Sequence, residues 1–117
     1  MEENRQSVRY PEIGRVICEE LCALPGILDD ISLEGCKIHF PVSFSVDLEN
    51  EFMLKILFSR NPEGSPLQLM ARPKWVREAS GSTQMGMEIL YSPDLNRLKE
   101  FISYLSDISV DDDLDLI

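Results

Sequence analysis

Apolar and polar residues alternate with a period of two through most of this 117-residue chain, and the period lengthens only near the C-terminus. In CKIHFPV, Cys36, Ile38, Phe40 and Val42 fall on one side and Lys37, His39 and Pro41 on the other, as in a strand with one dry face. EFMLKILF repeats the pattern with Phe52, Leu54, Ile56 and Phe58. LQLMARPKWV puts Leu67, Leu69, Ala71 and Trp75 together on the predicted inner face. Pro73 cannot donate to a ladder, so this strand lies at an edge or carries a bulge. Met85, Met87 and Ile89 point together in MGMEIL, and GRVICEEL and ILDDIS supply the earlier strands. Turn signals at Leu24-Pro25-Gly26, LEG, RNPEGSP and EASGSTQ separate the runs.

Six or so short strands at this spacing predict an all-β, antiparallel closed barrel or sandwich. The period then changes. Ser92 can cap a helix, Pro93 suits its first turn and Asp94 complements its dipole. Leu95, Leu98, Phe101, Ile102 and Leu105 follow at helical spacing, which predicts one helix over about 93–105 covering the barrel. MEENRQSVRYPE lacks periodicity, and Tyr10 precedes a proline that disfavours helix there. The expected organisation is an arm over 1–12, a barrel with its helix over 13–106, and an acidic tail over 107–117.

Charge and composition narrow the function. A net charge of −10 and a pI near 4.4 oppose general binding to DNA or to anionic membranes. Much of the excess sits in DISVDDDLDLI, which reads as a solvated end. No apolar run reaches membrane-spanning length, so no membrane insertion is expected. The start of the chain has no apolar signal core, which suggests a cytoplasmic protein. Cys18, Cys22 and Cys36 cannot all pair, and read as free thiols. With His39 the only histidine, ligands for a metal are too few. His39 falls on the solvent face of its strand, and no phosphate-binding glycine loop or dinucleotide fingerprint appears. Neither enzymatic activity nor a cofactor is expected.

Two stretches carry possible chemistry. In RQSVR, Arg5 and Arg9 are four residues apart. An extended arm separates them by roughly 13 Å and a helical turn by about 6 Å of rise; either spacing lets both guanidinium forks reach one dianionic ligand. Planar guanidinium donors match a phosphate or the O6/N7 edge of guanine. In DDISLEG, Asp30 and Ser32 are two apart and would share a strand face. An ionised Asp30 can accept from guanine N1–H and N2–H, and Ser32 can donate to a phosphate or ribose oxygen. Gly35 suits a tight turn or close ligand approach. Together they describe a reader of guanine nucleotides.

R-x-x-x-R ahead of the first strand, then D-x-S-x-x-G about twenty residues on, resembles the PilZ domain. The likeness runs on through two further long strands, the Trp-Val of KWVRE, MGMEIL and a terminal helix. It implies a six-stranded antiparallel β-barrel with a C-terminal α-helix, and a non-catalytic bacterial receptor for cyclic di-GMP. On that resemblance Arg5, Arg9, Asp30, Ser32 and Gly35 bind the ligand, and ordering of the arm signals to an effector protein in motility or biofilm control. Trp75 lies where some members place a residue near the ligand. Asn4 precedes Arg5 where many members are richer in arginine, which bears on whether one or two ligand molecules bind. Cys36 stands where a second small residue is frequent. The alternative is a PilZ-like interaction module of a motility or secretion machinery that does not depend on nucleotide.

Overall fold

The computed structural model describes Tyr10, residues 14–60 and residues 64–116, with side chains through 108. Its elements are β1 (Gly14–Ile17), β2 (Gly26–Ile31), β3 (Gly35–Phe40), β4 (Phe52–Phe58), β5 (Leu67–Ala79), β6 (Ser82–Ile89) and α1 (Leu95–Leu116). The strands close into an antiparallel barrel in the order β1-β2-β3-β6-β5-β4, the predicted architecture. Closure leaves no open sheet edge to be protected.

Alternation becomes a core because register aligns the inward residues across strands. Leu28, Ile38, Met85 and Val76 form one such row, and Ile31, Cys36, Met87 and Pro73 the next. On the other side Leu54 faces Leu69 and Ile56 faces Leu67. Leu28, Ile31, Ile38, Phe40, Leu54, Ile56, Leu69 and Met85 are wholly buried, each contributing about 1.5–3 kcal/mol of transfer free energy.

Three local readings change. The β5–β6 register shifts between Pro73 and Trp75, so the bulge announced by Pro73 is present. Its extra residue reverses the phase beyond it. Val76 therefore takes the inward position, and Trp75, expected in the core, stands on the outer surface at 38% exposure. EASGSTQ is not a long loop. β5 and β6 run to Ala79 and Ser82, joined by Ser80 and Gly81 at φ of 53° and 80°, the two positive angles of a type I′ hairpin. The helix starts at Leu95, two residues later than expected, and continues through the stretch read as a tail to Leu116.

Ser92 does not cap that helix with its side chain. Its hydroxyl donates to Leu90 O at 2.7 Å and accepts from Met70 N–H at 2.7 Å. Asp94 precedes the first helical residue, and its Oδ2 accepts from Gln68 N–H at 2.7 Å. Both side chains bind the helix entry to β5 instead. Leu98 and Leu105 are then buried, and Phe101 stacks on Phe58 at 3.9 Å.

Candidate functional site

Ser32, Leu33, Glu34 and Gly35 make the turn between β2 and β3, held by the serine at its first position. Ser32 N–H donates to Gly35 O at 2.8 Å. The Ser32 hydroxyl accepts from Glu34 N–H at 3.2 Å and Gly35 N–H at 3.1 Å, and donates to Gly35 O at 3.2 Å. A serine hydroxyl has one hydrogen, and here it stays within the turn. Ser32 is 1% exposed, so it closes the turn rather than presenting its hydroxyl to solvent. Glu34 O accepts from Ile89 N–H at 2.9 Å, which fastens the turn to β6.

Asp30 stands beside this turn on the outer surface. A bulge shifts the β2–β3 register between Leu28 and Asp30, so Asp29 and Asp30 are both half-buried before Ile31 returns to the core. Asp29 Oδ2 meets His39 Nδ1 at 2.9 Å. His39 thus lies on the outer side of β3, as alternation predicts, engaged by a carboxylate across the ladder.

Register carries the site sideways. Asp30 pairs with Lys37, Lys37 with Gly86, and Gly86 with Trp75. This outward row crosses β2, β3, β6 and β5, with Gly35, Glu88 and Arg72 on one side of it and His39, Gln84 and Arg77 on the other. The Trp75 indole occupies the space above Gly86, and the Arg77 guanidinium sits 5.3 Å from the centre of that ring, within cation–π range. Lys37 could be placed outward from alternation alone. Its alignment with Asp30 and Trp75 could not, because both bulges intervene.

The incoming chain reaches the same place. Tyr10 N–H donates to Ile31 O at 2.9 Å, and Ile31 N–H donates to Tyr10 O at 3.1 Å. This two-bond bridge falls on the residue between Asp30 and Ser32, and Tyr10 packs partly buried against the core. No local periodicity signals it. Arg5 and Arg9 lie outside the described residues. Among those described, no group of three or more His, Cys, Asp or Glu side chains could hold a metal, and no helix is long and apolar enough to cross a membrane.

A family model described as the PilZ domain matches residues 3–107. Among solved structures, the Bacillus subtilis inhibitor of motility MotI/DgrA is similar, with a TM-score of 0.66 at 17% identity. The similarity covers 87% of this chain and 51% of that one, so this chain spans about half of its length. At that identity the likeness is one of fold. No curated relative matches. The matched span takes in all six strands, the Ser32–Gly35 turn and the packed part of α1, and the chain belongs to the PilZ domain family.

Proposed function

We propose that this protein is a non-catalytic receptor for cyclic di-GMP, binding the dinucleotide between Arg5 and Arg9 of the N-terminal arm and the Asp30–Gly35 corner of the barrel. PilZ domains are in general non-catalytic binding modules of a family that receives this messenger. The observation that carries the reading is the Tyr10–Ile31 bridge. It tethers the chain one residue after Arg9, at the residue between Asp30 and Ser32. Five extended residues span at most about 17 Å, so the same corner is within the reach of Arg5.

The chemistry divides by charge. Paired guanidinium forks suit a phosphodiester and the guanine O6/N7 edge. Asp30 suits the N1–H and N2–H donors on the opposite edge. Ser32 contributes by holding the turn, which fixes Gly35 and keeps a Cβ away from the ligand. Binding orders the arm through charge-assisted hydrogen bonds, and the ordered arm is the surface that an effector protein reads.

Titration calorimetry with cyclic di-GMP tests this. Wild type binds, and Arg9→Ala and Asp30→Ala each weaken binding by about 1.5–3 kcal/mol with unchanged melting. Absence of heat from wild type at micromolar concentrations removes the reading. A second reading, an interaction module that works without nucleotide, draws on the fold shared with an inhibitor of motility. It predicts partner capture that neither cyclic di-GMP nor Arg9→Ala alters.

A further inference from the structure

We propose that Lys37 is a further ligand-binding residue, supplying a positive charge from the barrel itself to a phosphate of the bound dinucleotide. This rests on the receptor reading above. Lys37 stands at the middle of the outward row, between Asp30 on β2 and Gly86 on β6. It is half-buried, yet among the described residues its ammonium makes no ion pair or hydrogen bond. The surrounding carboxylates are already engaged. Asp29 is held by His39 at 2.9 Å and Glu88 by Lys74 at 3.7 Å, and Asp30 has an interaction of its own.

Without a counter-charge of its own, the ammonium is open to an arriving anion, and a charge-assisted bond to a phosphate oxygen favours one there. On the β6 side Lys37 is paired with Gly86, which has no side chain of its own and is covered by the Trp75 indole from β5. A flexible stem ending in a compact charge suits a phosphate oxygen, which makes no demand for planar pairing. A cyclic dinucleotide carries two phosphodiesters. With the arm's arginines on one, the other is left for the barrel, and Lys37 lies beside the carboxylate assigned to a guanine edge.

The test measures cyclic di-GMP affinity at low and high potassium chloride for wild type, Lys37→Met, Lys37→Arg and, as a control, Lys55→Met on the exposed outer side of β4. Lys37→Met is expected to bind about tenfold or more weakly and to lose less affinity with salt than wild type. Lys37→Arg recovers part of the loss, and Lys55→Met matches wild type. Melting without nucleotide stays level across the set. Where Lys37→Met lowers melting, Lys37→Gln keeps a polar stem and takes its place. Affinity and salt dependence indistinguishable from wild type in the neutral variant overturn the Lys37 role while leaving the receptor reading intact. A wild type that binds no nucleotide removes both.

Discussion

Trp75 and Gly86 face each other across the β5–β6 ladder, and the indole fills the volume that a side chain at position 86 would take. A Cβ there would fall 2.6 Å from indole Cε2 and 3.0 Å from Cδ1. Both are rigid ring atoms that cannot bend aside, so the whole ring must leave. Gly86→Ala is expected to cost about 1–3 kcal/mol, the range for overpacking, and to part Trp75 from Arg77. Trp75 is the only tryptophan, so its emission reports the change directly. A red-shifted maximum with a lower urea midpoint is expected; an unmoved maximum contradicts the contact.

The same pair shows where sequence reasoning loses its grip. Phe52, Leu54, Ile56 and Phe58 were legible as one face because β4 is regular, and strict alternation leaves a single phase. Trp75 kept that phase on paper. Pro73 signalled a bulge, but a proline does not say on which side of itself the extra residue falls. In β2 the bulge at Asp29 is flanked by Leu28 and Asp30, with no glycine or proline beside it, so the Asp30–Lys37 pairing was invisible. The polar string EASGSTQ hid a hairpin, because outer-face strand residues are as polar as loop residues. Of the candidate site, Asp30, Ser32 and Gly35 were readable as a turn with chemistry. The Tyr10–Ile31 bridge was not, since pairing across twenty-one residues leaves no local pattern.

Ser32 is predicted to matter first as a structural residue. Ser32→Ala removes the acceptor that serves Glu34 and Gly35 N–H and the donor that reaches Gly35 O. Leaving such groups unsatisfied in a covered turn costs about 1–3 kcal/mol. Urea unfolding should show that loss, and amide exchange at Glu34 and Gly35 should accelerate. Nucleotide affinity should fall with it, because Gly35 and Asp30 lose their mount. Reduced affinity with unchanged stability and exchange would instead assign Ser32 a direct contact.

The arm offers a cleaner separation of anchor from ligand contact. Tyr10→Pro deletes the N–H that reaches Ile31 O and is expected to cost about 1 kcal/mol in barrel stability. It should also weaken cyclic di-GMP binding by loosening the tether on Arg9. Arg9→Ala should weaken binding alone. Calorimetric titration and thermal melting of the two variants, side by side, check this. Equal binding by Tyr10→Pro and wild type would mean that the bridge does not position the arm.

Cys18 makes the barrel sensitive to alkali. Burial pushes its thiol above the ordinary value of 9.0, helped by the charge of Glu20 and opposed by hydrogen bonds from the Leu21 and Glu20 backbone. The folded state therefore holds the thiol proton more tightly than the unfolded chain does. Its contribution to stability is complete below pH 9 and is lost as pH rises from the unfolded value through the folded one. Other groups titrate in that window too, so the informative quantity is the wild-type stability minus that of Cys18→Ala at each pH. That difference should be level from pH 7 to about 8.5 and decline above 9. In native protein at neutral pH, iodoacetamide should modify half-buried Cys22 well before Cys18, which is 4% exposed. A difference curve that stays flat through pH 10, or equal alkylation rates, would show that the thiol is open to solvent and not part of the core.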